Sequence, residues 1–114
     1  MAFIIESEGA QILFWGDCAH HQVASLTRPD WHVIAEQPST ATIDCDTGLG
    51  VMIAPKAMQI AIEKARTTGI GAVTMRNANH SGMLFYHAML ALPHDMIGMA
   101  MTAAGPQVLP THGA

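Results

Sequence analysis

Apolar and polar positions change period along this chain, and the changes mark its elements. Thr40 to Asp44 is β-branched and alternating, which predicts a strand. From about Pro55 to Thr68 the period becomes helical. Lys56, Gln59, Glu63 and Arg66 follow 3–4 spacing on one face, while Ala57, Met58, Ala61, Ile62 and Ala65 fill the other. Pro55 suits a first turn, where its missing N–H is not needed, and Gly69 suits the left-handed residue that ends the helix. Ile70 to Met75 reads as a second strand. Met83 to Leu92 reads as a helix apolar nearly all round, hence buried, and stopped by Pro93. Met96 to Thr102 reads as a further strand, ended by Gly105-Pro106. Strand–helix–strand order implies a right-handed parallel crossover. The expected class is α/β, with a mixed sheet of strand–helix–strand units. Two β-prone runs, Ala2 to Ile5 and Gln11 to Trp15 around Glu6-Ser7-Glu8-Gly9, predict a β-hairpin segment ahead of it.

Composition narrows the picture. The chain has 114 residues, room for one small domain or part of a larger one. Half are hydrophobic and only 12% are charged, against about 25% in an ordinary soluble domain, so much of the surface is expected to be buried against a partner, another copy or further parts of its own fold. A net charge of −4 without any basic tract excludes a nucleic-acid partner. The longest apolar run contains His87 and is about half the ~20 residues of a membrane span, so no membrane role is expected. Cys18 and Cys45 lack CxxC spacing and read as two reduced thiols. With no signal-peptide pattern at the N-terminus, the expected location is cytoplasmic. The nine methionines fall mainly at apolar positions and read as core filler.

The chemistry concentrates in Arg76-Asn77-Ala78-Asn79-His80-Ser81-Gly82. A polar turn between a strand and a helix sits at the rim of a sheet, where α/β proteins place reacting groups. Histidine ordinarily titrates near neutral pH and can both take and give a proton. The bland alternative is a histidine that caps or packs against the following helix. Ser81 and Gly82 could offer backbone N–H groups to an anion, or Ser81 could simply cap the helix. Arg76 and Asn77 could grip a carboxylate or form a solvated strand end. Gly48-Leu49-Gly50 looks superficially like a phosphate loop, but it lacks a third glycine and a Walker lysine. Tight packing of strand against helix explains it better.

Several motifs in unbroken order carry a resemblance. They are Ser39-Thr40-Ala41-Thr42-Ile43-Asp44-Cys45-Asp46-Thr47-Gly48-Leu49-Gly50, Ala57-Met58 with Ala61-Ile62-Glu63-Lys64-Ala65-Arg66, Gly69-Ile70-Gly71, the His80 turn, and Met96-Ile97-Gly98-Met99-Ala100-Met101-Thr102. Pro106 and Pro110 close the set. From about Gln37 to Pro110 the chain resembles the type-2 malate/L-lactate dehydrogenase family, NAD(P)-dependent oxidoreductases distinct from the Rossmann-fold lactate dehydrogenases. The resemblance implies a partial domain of a larger oxidoreductase over residues 33–114, and a homo-oligomer. It also implies reversible hydride transfer between NAD or NADP and a small 2-hydroxy or 2-keto acid. On this resemblance His80 is the acid/base, and the anion met by the N–H groups of Ser81 and Gly82 could be the cofactor diphosphate or the substrate carboxylate. The family's upstream Ser-His-Gly segment is absent, and Ala103, Ala104 and Gly105 stand where relatives carry Asn or Ser. The 114-residue chain alone is therefore expected to bind nicotinamide cofactor weakly or not at all.

Residues 1–32 resemble something different, the late hairpin of a metallo-β-lactamase-fold hydrolase, where the aspartate of a Gly-Asp bridges two metal ions. Asp17, His20 and His21 would be the metal candidates. The His-x-His-x-Asp-His cluster of that family is missing, however, and a catalytic zinc needs about three protein ligands, so no metal is expected. The alternatives to a dehydrogenase segment are thus a hydrolase fragment, or a composite or truncated chain without catalysis.

Overall fold

The computed structural model describes residues 28–102. The hairpin expected within residues 1–15, Cys18, the metal candidates Asp17, His20 and His21, and Ala103 to Pro110 lie outside this range. Among the described residues the elements run β1 (His32–Glu36), β2 (Thr40–Asp44), α1 (Gly50–Thr68), β3 (Ala72–Arg76), α2 (Leu84–Met89) and a 3-10 turn, Leu92–His94. The sheet is mixed, in order β1-β2-β3, with β1 antiparallel and β3 parallel to β2. This is the expected α/β class, and α1 makes the parallel crossover.

The alternation of β2 is borne out, with Ala41 and Ile43 facing the core between exposed or half-buried neighbours. Ile43, Cys45, Ile53 and Ala57 form the buried cluster, and Trp31, Ile60, Val73 and Met75 pack around it. Gly69 ends α1 at φ 81°, its N–H donating to the Ala65 carbonyl at 2.9 Å, as expected of a left-handed cap. β1 was not foreseen. All five of its residues are exposed, so no alternation marks it, and its register shifts between Val33 and Ala35. The boundary drawn between residues 32 and 33 falls inside this strand, so residues on both sides of it share the sheet.

Three expectations need correction. The helix expected from Pro55 begins at Gly50, which places Pro55 in its interior. The earlier start is favoured because Ile53 and Ala54 reach the core, and because carbonyls across the rim accept the Gly50 and Val51 N–H groups. Next, α2 spans only Leu84–Met89, and it is not buried all round. Phe85, Tyr86 and Met89 are exposed, and His87 is its buried residue. Pro93 does not simply end this helix; it lies within the short 3-10 turn, where proline near the start is tolerated. Finally, Met96 to Thr102 forms no ladder among the described residues. It keeps a strand's period, with Ile97, Met99 and Met101 exposed, but no described strand pairs with it.

Burying an isoleucine side chain contributes roughly 1.5–3 kcal/mol, and truncating one adds the penalty of an unfilled cavity. Ile53 is 1% exposed and lies at the centre of the cluster. Ile53→Ala is expected to lower unfolding free energy by about 2–5 kcal/mol, read from urea denaturation. A loss under about 1 kcal/mol would mean that the cluster is not the core.

Candidate functional site

The ends of β2 and β3 lie side by side, and the loops that leave them stay joined. Cys45 N–H donates to the Arg76 carbonyl at 3.0 Å, Thr47 N–H to the Asn77 carbonyl at 2.9 Å, and Asn79 N–H to the Gly48 carbonyl at 2.9 Å. Leu49 and Asn79 form an isolated parallel bridge, so the ladder of β2 and β3 resumes one turn beyond both strands. The Asn79 side-chain amide also donates to the Thr47 carbonyl. The first N–H groups of α1 then turn to the other loop. Gly50 N–H donates to the Asn79 carbonyl and Val51 N–H to the His80 carbonyl, both at 3.2 Å. An α-helix leaves its first N–H groups without intrahelical partners, and here the turn before α2 supplies them.

This arrangement brings His80, Ser81 and Gly82 together on the rim. The His80 side chain is exposed, and Ser81 and Gly82 are half-buried. Gly82 has φ +68°, a conformation that disfavours any side chain. Ser81 does not cap α2. Met83 is the N-cap residue, and no side-chain cap bond is made. Nor does the capping alternative hold for His80, which is held through its main chain rather than its ring. The Gly48 and Gly50 reading as packing residues agrees with the geometry. A Cβ on Gly48 would lie 2.8 Å from the Cys45 carbonyl oxygen, and one on Gly50 would lie 2.7 Å from that of Asn79.

Arg76 and Asn77 do grip a carboxylate, but it is internal. Asp44 Oδ1 accepts the Asp46 N–H at 2.9 Å and the Asn77 side-chain amide at 3.2 Å, and Oδ2 accepts Arg76 Nε at 2.8 Å. The Asp46 N–H, then Arg76, then Asn77 hold the Asp44 carboxyl at a pKa of about 2, below the usual 3.8. The sequence reading passed over Asp44. Its bond to the N–H two residues on is a recurrent aspartate turn that Asp-x-Asp could have signalled, whereas its pairing with Arg76, distant in sequence, carries no local sign. Backbone strain gathers at the same place, with Asp46, Thr47 and Asn77 at φ 48°, 56° and 53°. Thr47 is β-branched and the least suited to it. Below the rim Cys45 is a free, buried thiol, its pKa pushed up by burial and then by the charge of Asp44.

The described residues include no cluster of metal-ligating side chains and no helix long and apolar enough to cross a membrane. A cleft of about 670 Å³ lies elsewhere, between Trp31, Pro38 and the outer face of α1, and neither His80, Ser81 nor Gly82 lines it. Lys56 Nζ sits 5.2 Å from the centre of the Trp31 ring there.

A family profile described as malate/L-lactate dehydrogenase matches residues 7–114. The chain belongs to the malate/L-lactate dehydrogenase family. Because that match starts at residue 7, it takes in most of the segment read as a hydrolase hairpin, and nothing found shows a metallo-β-lactamase-fold piece. Over 86 residues the chain is 45% identical to the L-sulfolactate dehydrogenase of Methanocaldococcus jannaschii, covering 75% of this chain and 25% of the relative. It is 49% identical over 85 residues to the malate dehydrogenase of Pyrococcus abyssi, covering 75% and 24%. Among solved structures, the sulfolactate dehydrogenase from M. jannaschii matches with a TM-score of 0.57 at 48% identity, over 59% of this chain and 20% of that one. Malate dehydrogenase from Pyrococcus horikoshii OT3 also gives 0.57, at 46% identity over 60% and 20%. This member of the malate/L-lactate dehydrogenase family thus spans about a quarter of the length of the curated relatives it matches.

Two predictions follow from the rim. Alanine at Gly50 gains at most ~1 kcal/mol of helix propensity, and the collision with Asn79 and Ser81 outweighs it. Gly50→Ala is expected to destabilise the chain by about 1–3 kcal/mol in urea denaturation. The second concerns pH. The folded-state pKa of Asp44 is depressed, so its contribution is fully present above pH 3.8 and is lost as pH falls toward 2. The carboxyl ¹³C resonance of Asp44 should titrate near pH 2 in the folded chain, and the stability difference between wild type and Asp44→Asn should shrink below pH 3.8.

Proposed function

We propose that this chain carries the acid/base of a malate/L-lactate-type dehydrogenase acting on a small 2-hydroxy or 2-keto acid, with His80 in that role. The observation that carries the reading is the placement of His80, exposed at the C-terminal rim of parallel strands with its main chain tied to the start of α1. A fixed backbone and an exposed ring are what a proton-transfer residue requires, since the imidazole must reach a substrate from a set position. As a 2-hydroxy acid is oxidised, His80 takes the hydroxyl proton while the carbonyl forms, and in reduction it returns that proton.

A nicotinamide cofactor, NAD or NADP, supplies the acceptor or donor of hydride when bound. Ser81 and Gly82 are suited to an anionic group of that cofactor or to the substrate carboxylate. Their N–H groups have no backbone acceptor among the described residues, and Gly82 keeps the turn free of a side chain. The relatives named as malate and sulfolactate dehydrogenases act on acids of this class, which supports a 2-hydroxy acid here. The exposed apolar residues, among them Ile97 at 97% and Met101 at 83%, support a chain that works within an oligomer.

The test grafts residues 33–102 of this chain into the P. abyssi malate dehydrogenase in place of its corresponding stretch. Oxidation of NADH or NADPH is then followed at pH 7 with oxaloacetate and pyruvate. His80→Ala in the graft is expected to lower kcat by about 10²–10⁴-fold with cofactor affinity little changed. A loss of less than about tenfold would remove His80 from the proton transfer.

A further inference from the structure

His87 is the buried polar residue of the described chain, 2% exposed within an otherwise apolar helix. Its Nε2 lies 2.7 Å from the Ser81 carbonyl oxygen, and its Nδ1 is buried without a partner. A carbonyl oxygen only accepts, so Nε2 carries a hydrogen, and in the neutral ring Nδ1 then holds a lone pair. Burying a polar atom without a partner is unfavourable, and an apolar side chain at this position would avoid it. What an apolar side chain would not supply is the donor to Ser81. Tyr86 stands edge-on beside the ring, with centroids 5.4 Å apart at 73°.

The bond completes a row. Three consecutive carbonyls of the turn are each held by a donor from elsewhere. Asn79 is held by Gly50 N–H, His80 by Val51 N–H, and Ser81 by His87 Nε2–H. The first two donors belong to the start of α1 and the third to α2, so the turn is clamped from both helices. We propose that His87 is a positioning residue: by holding the Ser81 carbonyl it fixes the path of His80-Ser81-Gly82 and thereby the point from which the His80 ring is presented. The proposal rests on reading His80 as the acid/base, but it is tested without turnover.

The imidazole ¹⁵N resonances of the 114-residue chain give the first test. The neutral His87 ring is expected as the Nε2–H tautomer, and an Nδ1–H tautomer overturns the proposal. The second test uses amide hydrogen exchange at Gly50 and Val51, whose N–H groups are bonded to the turn. His87→Phe fills the same space without a donor, and is expected to speed their exchange about tenfold or more. His87→Gln keeps an amide donor at similar reach and is expected to return the rates to within about threefold of wild type. The ladder amides of Ile43 and Thr74, which face each other's strand, should stay protected throughout. Unchanged rates in His87→Phe, failure of His87→Gln to restore them, or equal acceleration at Ile43 and Thr74 would each overturn the positioning role. If His87→Phe does not fold, the tautomer and the His87→Gln rates decide the matter. His80→Ala without effect on turnover would sink the acid/base reading and leave these results standing.

Discussion

Asn79 is the residue on which the rim depends. Its N–H goes to Gly48, its carbonyl receives the Gly50 N–H, and its side-chain amide goes to Thr47. One residue thereby ties the loop leaving β2, the loop leaving β3 and the first turn of α1. A parallel pair of strands has no hairpin to keep its ends together, so loops leaving the same edge are free to diverge. Here they are joined by main-chain bonds, which a change of side chain elsewhere on the loops does not remove. The exposed ring of His80 stands on this frame, next to the asparagine that builds it.

The frame holds strain, and its composition shows where the strain is offset. Asp46, Thr47 and Asn77 all take positive φ. Such residues cost of order 1–3 kcal/mol each when nothing compensates. The compensation is visible at Asp44, whose carboxylate takes the Asp46 N–H and the Asn77 amide and pairs with Arg76 across the two strand ends. Arg76 is itself largely exposed, so its ion pair is screened and adds only modestly. The hydrogen bonds to Asp44 matter more than the pairing of charge, because they set the backbone of both loops at the positions that twist.

What the sequence made legible follows from how local each cause is. β2 could be read because its alternation reflects one buried face, and the end of α1 because Gly69 is a local signal. The His80 turn could be placed on the rim because it lies between two recognisable apolar runs. The start of α1 could not be read, since it is decided by carbonyls of Asn79 and His80 that are distant in sequence. β1 carried no pattern because neither of its faces is buried. His87 was visible as a polar residue in an apolar run, yet its partner, Ser81, could be identified only once the helix and turn were placed in space.

The same distinction explains why a chain spanning a quarter of its relatives still holds an organised rim. Every bond that shapes the turn is made between residues 44 and 87, inside one strand–helix–strand unit and the helix after it. The apolar surface is different in kind. Ile97, Met99 and Met101 alternate outward, while Gly98 packs so closely on Ala88 that a side chain there would collide with the helix backbone. That glycine fits the segment to α2 on one face and leaves the other face without cover. A strand is defined by its neighbour, and the alternation of residues 96–102 specifies which side chains would be buried without specifying what buries them. The path of the His80 turn is therefore built by contacts within the segment, whereas burial of its apolar face requires surface that the described residues do not supply.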